Sequence, residues 1–238
     1  MPRVSNGYAR GAAVVVCVCV TGFGGAATGA LAGQAREGGA QSCRTGIATY
    51  RIVTASPIVT STVEGRCTFD SATVEGTCVN DYSDSRGGRF TSVSITRHAT
   101  VADVVDEVSV VPPLNRALGT TTTVKGAGLD TTGTSTLTHD GRKRLTTIAA
   151  VSQPGGQTST TTYTAWDAAG RPTAGTLASG RQSTAQTMRY DDSTRTQTIS
   201  TNGQMCTQTF DENGNPAAGA CGGSTATTTV LTTQQICR

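Results

Sequence analysis

Apolar and polar residues alternate in short runs along most of this 238-residue chain. Tyr50-Arg51-Ile52-Val53 and Ile58-Val59-Thr60 are β-branched stretches separated by Ser56-Pro57. Thr62-Val63 leads on to Cys67-Thr68-Phe69, and Phe90 to Arg97 sets Val93 and Ile95 on one face. A period of two predicts half-buried strands, starting near Thr49. One segment departs from it. Val101, Val104, Val105 and Val108 recur at helical spacing, and Thr100 with Asp103 resembles a capping box with Asp in place of Glu. Pro112-Pro113 forbids extension much beyond Val110, so the pattern predicts at most one short helix, near 101–110.

From about residue 119 the chain is a run of Thr-rich stretches punctuated by Asp140-Gly141, Gly155-Gly156, Gly170, Gly180, Asn202-Gly203, Asn213-Gly214 and Gly222-Gly223. Each interval holds one strand and one tight turn, which predicts an antiparallel meander. Connections this short cannot cross over, so parallel β/α folds are excluded. The fold class is therefore all-β, an antiparallel β-meander forming a curled sheet or open sandwich. A membrane barrel would need apolar alternate positions and aromatic girdles. Aromatics are 4% of the chain, and Thr, Gly and Ser occupy too many of the positions that would face lipid, so the expectation is no transmembrane barrel.

Composition sharpens the picture. Hydrophobic residues are 36% and charged residues 15%, with 45 Thr and 29 Gly taking up the difference. That bias favours strands and turns over acidic disorder. Arg3 and Arg10 precede the apolar run Ala12 to Val20, and Ala30-Leu31-Ala32 offers a small-x-small cleavage site, so residues 1–32 read as a signal peptide with Gly33 as the exported N-terminus. Residues 33–48 are expected as a flexible lead-in, 49–118 as an N-terminal β part with the helix, and 119–238 as the meander. Removal of the two signal arginines leaves a net charge near zero. No basic run exceeds Arg142-Lys143-Arg144, which excludes nucleic acid as a partner.

Export leaves six cysteines, and an even number in an oxidising compartment points to disulfides. A two-residue turn at Asn213-Gly214 would put Cys206 opposite Cys221. Cys67 and Cys78 are close enough for a second local link, and Cys43 with Cys237 would tie the two ends together. No CxxC remains in the exported part, which removes the usual redox motif and half of most zinc sites.

An aromatic–Asp pair leading into a turn occurs three times: Trp166-Asp167-Ala168-Ala169-Gly170-Arg171, Tyr190-Asp191-Asp192-Ser193-Thr194-Arg195 and Phe210-Asp211-Glu212-Asn213-Gly214-Asn215. The aromatic packs on a sheet face at the strand end, Asp accepts N–H groups of its own turn, and Gly or Asn supplies the positive φ of the reversal. His139-Asp140-Gly141-Arg142 is a weaker fourth copy. These residues resemble the YD-repeat, or Rhs-like, family of bacterial exported and surface proteins over about residues 135–220. Asp167, Gly170, Arg171, Asp191, Arg195, Asp211 and Gly214 stand at the repeat-turn positions. The departures are Pro172, Thr196 and Pro216, where the family has an apolar residue, and the second turn, which lacks Gly. The resemblance implies a β-sheet strip, and three or four repeats are too few for the closed, cargo-holding shells of large members.

Chemistry-bearing motifs are sparse. His98 and His139 are the two near-neutral bases, His98 at a strand end and His139 beside a turn, and no G-x-S-x-G, H-E-x-x-H or phosphate loop occurs. Asp211-x-Asn213-x-Asn215 has the oxygen donors of a calcium loop, but Pro216 replaces the required Gly and Gly222 the bidentate Glu, so no metal and no cofactor is expected. The sequence reads as a non-catalytic structural or adhesive surface protein, with cell-surface carbohydrate or protein as partner. Tyr163, Trp166, Tyr190 and Phe210 are the candidate ligand contacts, although packing within the sheet is the commoner use of such residues. A carbohydrate-binding module with a defined site and a small secreted hydrolase are the alternatives; a concave pocket holding a histidine beside a carboxylate would distinguish the latter.

Overall fold

A computed structural model describes residues 42–126 and 128–238. The signal segment 1–32, its cleavage before Gly33 and most of the expected lead-in lie outside the described residues. Fourteen strands follow in order: β1 (Cys43–Ala55), β2 (Thr60–Asp70), β3 (Glu75–Asp84), β4 (Arg89–Arg97), β5 (Gly119–Gly126), β6 (Leu129–His139), β7 (Leu145–Gln153), β8 (Gln157–Trp166), β9 (Pro172–Ser179), β10 (Gln182–Asp191), β11 (Thr196–Thr201), β12 (Gln204–Phe210), β13 (Pro216–Cys221) and β14 (Ser224–Cys237), with one helix, α1 (Val101–Asp106), between β4 and β5. The strands are antiparallel and all-β architecture holds, as the alternation predicts. β1 begins at Cys43, so residues 43–48 of the expected lead-in belong to the sheet.

The sheet is not open. Each strand pairs with its predecessor and β14 pairs with β1, which closes a 14-strand barrel. This corrects both the curled-sheet or sandwich form and the expectation of no transmembrane barrel. A low aromatic content and Thr-rich faces describe what the side chains are made of and leave closure open. Closure depends instead on pairing the first strand with the last, from Cys43 opposite Cys237 to Ala55 opposite Thr225, and that removes both sheet edges. The sheet also runs without a break through 118/119, so the two expected parts are arcs of one barrel.

Register sorts the residues into two faces. Tyr50, Gly65, Asn80 and Ser92 lie in one inward row and Tyr163, Gly175 and Gln186 in another. Small residues make room for large ones: a Cβ on Gly65 would overlap the Tyr50 ring. Two apolar clusters line the interior, one of Ala117, Leu137, Leu145, Ile148, Tyr163 and Met188, the other of Ile47, Tyr50, Cys67 and Cys78. Outward positions carry ion pairs, Arg51–Glu64 at 3.8 Å, Arg66–Asp81 at 4.0 Å and Arg97–Glu75 at 2.6 Å.

Three disulfides join Cys43 to Cys237, Cys67 to Cys78 and Cys206 to Cys221, with Cα separations of 4.0, 4.1 and 4.3 Å. All three pairings are those read from the sequence. The hairpin at the third is not a two-residue turn, however. Asp211 donates its N–H to the Asn215 carbonyl across a longer loop, and an irregularity between Thr209 and Phe210 restores the register that sets Cys206 opposite Cys221.

The two ends of the barrel differ. Aromatic–Asp turns after β6, β8, β10 and β12 gather at the end where β1 starts and β14 finishes, together with segment 98–118. Helix α1 in that segment starts as the sequence predicts: the Thr100 hydroxyl accepts the Asp103 N–H and donates to the Asp103 carboxylate. It stops at Asp106, short of Val110. Its valine stripe faces inward, with Val104 1% and Val108 4% exposed.

Candidate functional site

The capped end is where the chemistry-bearing side chains collect, and its construction follows from the repeated turns. Asp140 donates its N–H to the Arg144 carbonyl, Asp167 to that of Arg171, and Asp211 to that of Asn215. Within each turn the carboxylate accepts the N–H four residues on, at 2.9, 2.9 and 2.8 Å, and also the side chain of that residue: Arg144 Nε at 2.8 Å, Arg171 Nε at 2.7 Å and Asn215 Nδ2 at 2.9 Å. The residue before it carries positive φ, at Lys143 (59°), Gly170 (89°) and Gly214 (76°). The Asp191 turn is built differently. Its carboxylate takes the Ser193 and Thr194 N–H groups, and positive φ moves to Arg195 (52°), whose side chain is exposed.

Successive turns are linked by a ladder. The Arg144 guanidinium stacks 4.5 Å from the Trp166 ring centroid, and Arg171 stacks 4.3 Å from Tyr190. Each aromatic then donates to the carbonyl just after the arginine below it: Trp166 Nε1 to Leu145 O and Tyr190 Oη to Pro172 O, both at 2.9 Å. The guanidinium and the aromatic tip of neighbouring turns therefore hold one another in register, each stack contributing about 0.5–2 kcal/mol. In the His139-Asp140 copy the working arginine is Arg144. Arg142, the residue singled out by the sequence, is exposed. Positive φ at Lys143 shifts the motif by two positions, which a search for Gly-Arg cannot see.

Segment 98–118 is tied across this end from several sides. Arg171, 5% exposed, reaches Asp192 at 2.7 Å and Pro112 O at 3.4 Å. His139 Nε2 lies 2.8 Å from Asn115 O, Lys143 pairs with Asp103 at 2.6 Å, Arg116 donates to Lys143 O, and Arg238 pairs with Asp106 at 3.3 Å. Beneath it Arg44, 1% exposed, donates to Val104 O at 2.5 Å and lies 3.4 Å from Glu107, whose other oxygen accepts the Arg116 N–H. His98 Nε2 is 3.6 Å from the same carboxylate, with its side chain wholly inaccessible. Burial pushes the Glu107 carboxyl up, and His98, Arg44 and the Arg116 N–H outweigh it, so the group titrates below its ordinary value. This Arg–Glu–His cluster was not foreseen, because Arg44 is far in the chain from His98 and Glu107 and only closure of the barrel brings β1 under α1.

The four candidate ligand contacts all point into the barrel. Tyr163 and Phe210 are 8% and 6% exposed, while Trp166 and Tyr190 are half-buried and packed against the first cluster. Burial raises the Tyr163 phenol to about 12. They form no outer contact strip. The calcium-loop oxygens of Asp211 are occupied by Asn213 N–H, Asn215 N–H and Asn215 Nδ2. Among the described residues no group of His, Cys, Asp and Glu could hold a metal ion. His98 is buried in the cap, and His139 is half-buried there against Asn115 O.

No protein-family profile matches the chain, and no curated protein does. Among solved structures, a porin-like protein from Bacteroides uniformis is similar at 10% identity and a TM-score of 0.36, over 78% of this chain and 96% of that one.

Proposed function

We propose that this chain is an exported, non-catalytic barrel that serves as a structural or adhesive module at a cell surface. The observation that carries the reading is the fate of the charged groups at the capped end. Arg44, Glu107, His98, Asp103, Lys143, Asp167 and Arg171 are spent on holding segment 98–118 and the turns together. Three disulfides support export, since such bonds persist in oxidising compartments. The turn chemistry supports the resemblance to YD-repeat proteins at Asp167, Gly170, Arg171, Asp211 and Gly214. A carbohydrate-binding module is the second reading, favoured by the inward strand positions from β5 to β14, which carry no ionic side chain. The hydrolase reading has only His98 beside Glu107, sealed from solvent.

The test is a paired assay on the purified exported protein: retention on bacterial and host cell surfaces, beside release of chromophore from ester and glycoside substrates. The expected result is retention without turnover, unchanged when His98 and His139 are both replaced by Asn in a variant that still folds. Turnover that falls about 100-fold in that variant would establish general acid–base catalysis and overturn the reading.

A further inference from the structure

Along β8 the inward side chains pass from Tyr163 and Thr161, buried, through half-buried Ser159 to exposed Gln157; along β10 they pass from Met188 and Gln186, buried, through Thr184 to exposed Gln182. β7 repeats the gradient from Ile148 to Ser152. Solvent thus enters the barrel from the short-turn rim and stops at a floor just above the capped end. Inward strand positions from β5 to β14, assigned by register, carry no Asp, Glu, Lys or Arg; they are Ser, Thr, Gln, Gly and apolar residues.

At that floor three polar groups have no hydrogen-bond partner among the described residues: the Gln186 amide, the Thr161 hydroxyl and the Tyr163 hydroxyl. Gln186 and Thr161 are each 9% exposed and Tyr163 8%, yet none of their polar atoms is among those sealed from solvent. Tyr163 and Gln186 flank Gly175 on the same inward row. Gly175 seats the Tyr163 ring, because a Cβ there would sit 2.7 Å from the Thr162 carbonyl and 2.9 Å from that ring. Amide, hydroxyl and phenol on neighbouring inward rows, accessible from the short-turn rim, therefore present donors and acceptors to a molecule that reaches this depth.

We propose that this floor binds a neutral, polyhydroxylated ligand, an uncharged pyranoside unit entering from the short-turn rim. Alternating donors and acceptors match sugar hydroxyls, and the Tyr163 ring with Leu177 and Ile148 offers an apolar surface to the ring hydrogens. An ionic ligand would meet no countercharge on this wall. The inference rests on the second reading of the function, a non-catalytic carbohydrate-binding module.

The exported protein with disulfides intact is titrated calorimetrically with maltotriose, cellotriose and chitotriose, with trigalacturonate as the charged counterpart and high-performance chromatography to detect cleavage. Binding of at least one neutral trisaccharide and not of trigalacturonate is expected. Gln186→Leu and the near-isosteric Thr161→Val should each weaken it about tenfold, with melting temperature preserved. Absence of binding by all three neutral sugars, or equal affinity in both variants, overturns the site. Binding accompanied by cleavage would uphold the site and overturn the non-catalytic reading.

Discussion

Arg171 follows its aspartate by four residues and Arg142 by two, and the two arginines stand in opposite surroundings in space. Arg171 is 5% exposed and joins Asp167, Asp192, Pro112 O and the Tyr190 ring, whereas Arg142 stands in solvent. Arg171→Met takes the guanidinium away from the Asp167 carboxylate and the Pro112 carbonyl, and should lower stability by about 3 kcal/mol in urea unfolding. Arg171→Lys keeps the charge and loses the planar fork, so it should fall between Met and the native residue. Arg142→Ala should stay within about 0.5 kcal/mol. Asp140 gives the same turns a pH signature. The N–H groups of Arg144 and Arg142 and the Arg144 side chain hold its carboxyl at about 2, below the ordinary 3.8. A folded-state pKa that is depressed stabilises above the unfolded value, and that contribution is lost as pH falls from about 4 towards 2. Thermal melts between pH 5 and pH 2 should show this loss, and Asp140→Asn should flatten the curve across that window.

At the scale of elements, local physics made much of the fold legible. Period-two alternation marks β4, and the valines at helical spacing with Thr100 in front mark α1. Thr100→Ala removes the acceptor of the Asp103 N–H and should reduce stability by about 1 kcal/mol, measured by denaturant unfolding. Other features depend on partners distant in the chain and could not be read. Arg44 looks like a surface residue of a lead-in until β1 is paired with β14 and placed beneath α1, where it becomes one of the most buried side chains. Arg144 was hidden by a non-glycine residue, Lys143, at the positive-φ position. Of the candidate contacts, Tyr163 was legible as an aromatic of the sheet. Its relation to Gln186 required the register across Gly175, since β8 and β10 meet only through β9.

At the scale of the whole molecule the decisive event is closure, and it is made between residues 194 apart in sequence, Cys43 and Cys237. A long link of that kind restricts the unfolded chain most. The loop-entropy relation gives about 5 kcal/mol for it, against about 3 kcal/mol for each of the local links Cys67–Cys78 and Cys206–Cys221. Where closure sits also matters. Cys43 lies next to Arg44, the residue that anchors α1, so releasing β1 from β14 frees the cap as well as the seam. The Cys43→Ser/Cys237→Ser pair should therefore lose more stability in urea than either local pair. It should also speed amide hydrogen exchange in β1, β14 and α1 together, while removal of Cys206–Cys221 should leave α1 protected. If the three pairs prove equal, and exchange in α1 is no faster without Cys43–Cys237, then the β1–β14 hydrogen bonds carry closure unaided, and the covalent link only guards the chain ends.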